Sequence, residues 1–66
     1  MEITVIYEKK EYKKEIHENT SVKEVLDSMN ISSETVVVKR NSEIIMDEEN
    51  LKDEDILEVI RVIYGG

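Results

Sequence analysis

The chain has 66 residues, 16 acidic against nine basic, a formal net charge of −7, and no cysteine or proline. That length holds one small domain near the size at which a single core is only marginally stable, and without cysteine there is no disulfide, thiolate metal site or thiol nucleophile. The acidic balance disfavours nucleic-acid phosphates and favours a partner with a basic face, while 39% apolar residues in clear periodicity argue against disorder.

Residues 2–8 alternate, Ile3, Val5 and Tyr7 to one side and Thr4 and Ile6 to the other, the period of a strand. Glu8-Lys9-Lys10-Glu11 reads as a turn, and residues 12–17 as a second, more exposed strand with Tyr12 and Ile16 on one side and Lys13, Glu15 and His17 on the other. Ser21 and Glu24 stand at capping-box spacing, with Thr20 as a rival N-cap. Val22, Val25, Leu26 and Met29 follow at i, i+3, i+4 and i+7, which predicts one amphipathic helix over 21–29 with Asn30 as its left-handed C-cap.

Thr35-Val36-Val37-Val38-Lys39 is β-branched and predicts a third strand, turned by Asn41-Ser42 into the short strand Ile44-Ile45-Met46. Residues 47–55 are polar except Leu51, as a loop or single helical turn pinned by that leucine would be. The run 56–63 is apolar on both faces, as a central strand is. The order is β-β-α-β-β-β, an α+β domain with one helix packed across a mixed sheet. Expected core residues are Ile3, Val5, Ile16, Val22, Val25, Leu26, Met29, Val36, Val38, Leu51, Leu57 and Val59. The same alternation leaves Ile6, Val37, Ile60 and Val62 on the outer face, either as an apolar interaction patch or as scattered surface aliphatics.

The only two glycines are the last two residues, Gly65 and Gly66. Without Cβ atoms such a pair threads a slot too narrow for side chains, and its carboxylate is unhindered; a frayed end is the plain alternative. A carboxylate at neutral pH is a poor acyl donor, so chemistry there requires a partner that activates it with ATP.

Taken with the Asn41 turn, the Leu51-Lys52-Asp53-Glu54-Asp55 loop and the ending Ile60-Arg61-Val62-Ile63-Tyr64-Gly65-Gly66, this order resembles the ubiquitin-like β-grasp sulfur carriers of the ThiS and MoaD type, and especially their short archaeal relatives that also serve as protein modifiers. The resemblance implies a β-grasp domain over 1–64 and a flexible Gly-Gly tail at 65–66. It implies a protein co-substrate rather than an enzyme, with no bound cofactor and no catalytic or metal-binding residue of its own. An adenylating enzyme of the ThiF/MoeB type would use ATP and Mg to activate Gly66, and a sulfurtransferase step would give a thiocarboxylate. The sulfur would pass to an acceptor synthase for thiamin or molybdopterin, or to transfer RNA. Alternatives are a modifier joined through Gly66 to lysines of target proteins, and a β-grasp docking module that only binds. Partner contacts are expected at Ile6, Val37, Ile60, Val62 and Tyr64. Relatives often carry glycine where Ser42 and Glu54 stand here, and Tyr64 is bulkier than the residue many carriers place there.

Other candidate sites carry less. His17, the only histidine, has no serine or cysteine that the sequence places near it, so no general-base role is expected. Asp47-Glu48-Glu49 and Asp53-Glu54-Asp55 lack the spacing and central glycine of a calcium loop and read as a solvated acidic face. Lys9, Lys10, Lys13 and Lys14 read as a solvated edge that discourages aggregation. No apolar run approaches the roughly 18 residues of a membrane span, and Met1-Glu2-Ile3-Thr4-Val5 lacks the regions of a signal peptide, so a cytoplasmic location without membrane contact is expected.

Overall fold

In the first strand, β1 (Glu2–Tyr7), alternation buries Ile3 and Val5 and leaves Thr4 and Ile6 on the opposite face, as the two-residue period of a pleated strand requires. The structure is a computed structural model that describes residues 1–62; Ile63, Tyr64, Gly65 and Gly66, and with them the last predicted strand residue and the tail, lie outside the described residues. Glu8 and Lys9 both take positive φ, 51° and 67°, and return the chain into β2 (Lys10–Glu15), with Tyr7 opposite Lys10 and Val5 opposite Tyr12. Two consecutive left-handed residues make a type I′ turn, whose twist matches that of the strands it joins. The predicted turn over Glu8–Glu11 is therefore too wide. Two residues suffice, and Lys10 and Glu11 join the ladder. Beyond β2, Ile16 donates its N–H to the Met1 carbonyl (2.7 Å) and packs half-buried against the core.

Helix α1 (Val22–Ser28) starts at a complete capping box: Glu24 N–H donates to Ser21 Oγ (3.2 Å) and Ser21 N–H to the Glu24 carboxylate (3.3 Å). At its other end Asn30 takes φ 59°. Its N–H reaches Asp27 O (3.1 Å) while Ile31 N–H reaches Leu26 O (2.9 Å), the paired bonds of a Schellman motif. That motif tucks Ile31 beneath the helix end, 7% exposed, a core residue that helical periodicity does not predict.

A 3-10 turn over Ser33–Thr35, capped by Ser32, delays β3 to Val36–Arg40, one residue later than predicted. A second type I′ turn at Asn41 (φ 53°) and Ser42 (φ 68°) leads to β4 (Glu43–Ile45), which ends before Met46. The last strand, β5 (Ile56–Arg61), runs parallel to β1 and antiparallel to β3, and Val62 N–H still donates to Thr35 O (2.8 Å). The sheet order β2-β1-β5-β3-β4 is the mixed arrangement expected, with β5 central. Ile3, Val5, Val22, Val25, Leu26, Ile31, Val38, Leu51, Leu57 and Val59 form the core. Ile16, Met29 and Val36, expected inside, are half-buried at its rim.

Two changes test these assignments by thermal unfolding. Ile31→Ala removes a buried side chain and should cost about 2–4 kcal/mol. Ser42→Gly relieves a left-handed residue and should raise stability by about 0.5–1 kcal/mol after glycine's entropic cost.

Candidate functional site

Because β5 sits inside the sheet, its outward residues meet strands on both sides, and Glu58 has a register partner on each. Val37 of β3 lies directly opposite Ile60, and Lys39 opposite Glu58. On the other flank Ile6 lies opposite Glu58 and Thr4 opposite Ile56. Of the four aliphatics expected on the outer face, Ile6, Val37 and Ile60 thus share the face that α1 leaves uncovered, while Val62 lies one residue past the end of β5. Ile60 is 38% exposed, and Ile6, Val37 and Val62 are half-buried.

Ile6 joins two shallow grooves. One, of about 300 Å³, runs between Ile6 and Ile60, with Lys9 and Glu58 at its sides. The other, of about 200 Å³, lies between Ile6 and Ile56, beside Lys39 and Ser42. Ile56 (54% exposed) and Ile44 (67%), the latter opposite Lys39, widen the apolar area. Neither was among the expected contacts, although their even numbering along β5 and β4 places them in phase with Ile60 and with the outward side of the turn. The result is an apolar surface with Glu58 and Lys39 set side by side within it and Lys9 at its edge. Tyr64, Gly65 and Gly66, also expected to contact or react with a partner, lie outside the described residues.

The acidic segments have a structural task. Arg40, at the end of β3, donates from its guanidinium to Asn50 O (3.2 Å), to the Asp55 carboxylate (3.3 Å) and to the Glu49 carboxylate (3.4 Å). Asp55 also accepts Lys52 N–H (2.8 Å), and Asp53 accepts Glu2 N–H (2.9 Å). A solvated acidic face is therefore correct for Glu48 and Glu54 but not for Asp55, whose side chain is 13% exposed. The missed residue was Arg40; a lone arginine preceding Asn41 gives no local sign of partners ten and fifteen residues away. His17 is exposed, and its carbonyl accepts the Thr20 hydroxyl (2.7 Å). Among the described residues no group of His, Cys, Asp or Glu is placed to hold a metal, and no helix is long and apolar enough to cross a membrane.

A five-stranded mixed sheet grasping one helix, with an apolar outer face on the strand that leads to the carboxyl end, defines a β-grasp protein. A model of the ThiS family matches residues 3–66, and the chain belongs to that family of β-grasp sulfur carriers. It is 39% identical over 52 residues to the sulfur carrier protein TtuB of Thermus thermophilus, covering 79% of this chain and 80% of that protein. Among solved structures it is similar to the thiamine biosynthesis protein ThiS from Geobacter metallireducens, at a TM-score of 0.71 and 28% identity over 100% of both chains. Proteins of the ThiS and TtuB kind are small protein carriers, not catalysts.

Arg40→Met should cost about 2 kcal/mol, since it removes charge-assisted hydrogen bonds from partly buried partners. His17→Ala should stay within about 0.5 kcal/mol of the parent, as a surface change without a structural partner does. Urea unfolding of both variants checks the contrast.

Proposed function

We propose that this chain carries sulfur on the carboxylate of Gly66. A ThiF/MoeB-type enzyme docks on the outer sheet face, takes the Gly65-Gly66 tail into its own active site and uses Mg-ATP to form an acyl adenylate, releasing pyrophosphate. A sulfurtransferase step then replaces AMP by sulfur, leaving a thiocarboxylate. The observation that carries this proposal is that Ile60, paired with Val37 and sharing a groove with Ile6, lies on β5, the strand that in sequence stands just before Tyr64, Gly65 and Gly66. Docking and chemistry thus depend on one element. The family match extends to residue 66, which supports a role for the tail itself.

The supply of sulfur to thiamin, to molybdopterin or to transfer RNA is equally compatible with this tail. The relatives compared come from bacteria, and the modifier chemistry of archaeal members, in which the same adenylate passes to a lysine amine, is the alternative product. On this proposal ATP and Mg belong to the partner, and the protein works beside its enzymes in the cytoplasm.

Incubation with extract of the source cells and Mg-ATP, followed by trypsin, releases Val62-Ile63-Tyr64-Gly65-Gly66 by cleavage after Arg61. The expected product is that pentapeptide with sulfur in place of one oxygen. The peptide contains no methionine, so oxidation, which adds nearly the same mass, does not imitate the shift there. The five residues branched from another protein's lysine would establish the modifier instead, and free acid alone in an extract with demonstrated adenylating activity would leave only a docking module.

Removing Gly66 should abolish the product while leaving unfolding unchanged. Ile60→Asp should lower its rate of formation at least tenfold, since a charge desolvated at the interface is costly, with only a small change in unfolding because Ile60 is 38% exposed. An unaltered rate in Ile60→Asp would remove the outer face from the docking surface.

A further inference from the structure

We propose that the open edge of β3 beside Val36 is a docking site for an extended peptide segment with an aliphatic side chain flanked by basic residues. The ladder between β3 and β4 covers only Val38 to Arg40, ending at Val38 opposite Ile45, whereas β3 itself begins at Val36. The chain leaves the sheet at Met46 because its next residues serve the helix: Asp47 O accepts Lys23 N–H (2.9 Å) and Glu49 O accepts Val22 N–H (3.0 Å). Among the described residues, nothing takes the ladder position that β4 vacates.

The direction of the vacant bonds follows from alternation. Thr35 O accepts Val62 N–H on the β5 side, so the next residue, Val36, presents its N–H and C=O to the opposite side, where β4 has departed. Val36 is already extended, φ −136° and ψ 158°, and has the geometry to accept a strand without rearrangement. Beside it opens a groove of about 310 Å³ between α1 and the sheet edge, lined by Leu26, Val36, Val38, Ile45 and Met46, with Asp47 its only charged lining residue. Met46 is 67% exposed at its rim.

These features select the occupant. A donor and an acceptor on an extended residue call for another extended backbone, as in β-strand addition, and the apolar groove takes one alternate side chain of it. Asp47 lines the groove, Glu48 and Glu34 stand next in sequence to its lining residues Asp47 and Ser33, no basic residue lines it, and the net charge is −7, so basic flanks are favoured over neutral or acidic ones. The groove shares Val37 and Ile44 with the outer face but neither Ile6 nor Ile60, and the inference stands whether or not the tail carries sulfur.

The test uses the full chain labelled with nitrogen-15 and a capped probe peptide, Lys-Lys-Val-Ile-Val-Lys-Lys. The expected result is a saturable shift of the Val36 amide, with slowed exchange of its proton. An analogue N-methylated at its three apolar residues keeps the charge but loses the strand donors, and should bind at least tenfold more weakly, the order expected for the loss of one to two hydrogen bonds. Met46→Lys should weaken the probe by a similar factor while the chain keeps its unfolding temperature within a few degrees. Equal binding of the N-methylated analogue would show charge attraction alone and overturn the proposal. So would shifts confined to the Ile6 and Glu58 face, or a Val36 amide unmoved at millimolar probe.

Discussion

Because β5 pairs in parallel with β1 and antiparallel with β3, its backbone is engaged on both sides, and both of its faces must then be accommodated by side chains alone. Leu57 and Val59 settle the inner face at 0% and 4% exposure. The outer face has no helix to cover it, yet Ile56 and Ile60 stand there beside Ile6 and Val37. Aliphatics favour a central strand through packing with their cross-strand neighbours, so part of this composition follows from position alone. What position does not explain is their exposure. Ile56 on β5 is 54% and Ile44 on β4 67% open to water, an exposure that the proposed docking surface would account for.

The second dependence is on the loop between β4 and β5. A seven-residue helix is too short to persist alone, and three of its four unsatisfied N-terminal N–H groups find partners outside it: Val22 on Glu49 O, Lys23 on Asp47 O and Glu24 on Ser21 Oγ. The same loop is tied below by Leu51 in the core, with Leu51 N–H on Thr20 O (2.9 Å), and at its far end by Arg40 and by Glu2. Residues 47–55 therefore act as a strap that joins helix, sheet centre and amino terminus. In a domain that buries so few side chains, such backbone bonds supply much of the specificity of the fold. The strap also has a geometric cost, since drawing the chain toward the helix cuts β4 short and leaves the edge of β3 unpaired.

These relations explain what was legible in the sequence. Alternation over 2–8, the apolar run from Ile56, helical spacing from Val22 to Met29 and the capping pair Ser21 and Glu24 are local patterns, and β1, β5 and α1 lie within a residue or two of where these put them, as far as the described residues reach. The first turn was blurred because Glu8-Lys9 lacks the asparagine or glycine that announces a type I′ turn, although both residues adopt its left-handed backbone. Ile31 escaped notice because it belongs to the cap geometry of the helix rather than to its period. Ser42 and Glu54 take φ of 68° and 66°, a left-handed backbone that favours glycine, so neither residue type announces the turn it makes. Of the outer face, Ile6, Val37 and Ile60 were readable from parity. Arg40 was not, because its partners come from a loop whose path no local signal describes.

The grooves on the outer face, about 200 and 300 Å³, fall at or below the lower end of the volumes that enclose small ligands. Grooves of that size suit the side chains of a docking protein better than a free metabolite, as the proposed function requires. On the proposed function the acyl group must visit at least two catalytic centres, the one that adenylates it and the one that consumes it. Each must release the body after use. A moderate patch serves that cycle better than a large one, because affinity for the common body adds equally to every encounter and slows each departure. Discrimination between successive partners then has to come from what they see differently: the chemical state of the last carboxylate, and charged positions such as Lys39 and Glu58 within the patch. Opposite charges set side by side in an apolar surface suit that purpose, since a partner that fails to match them leaves a desolvated charge unpaired, while one that matches them gains orientation for the tail more than raw affinity.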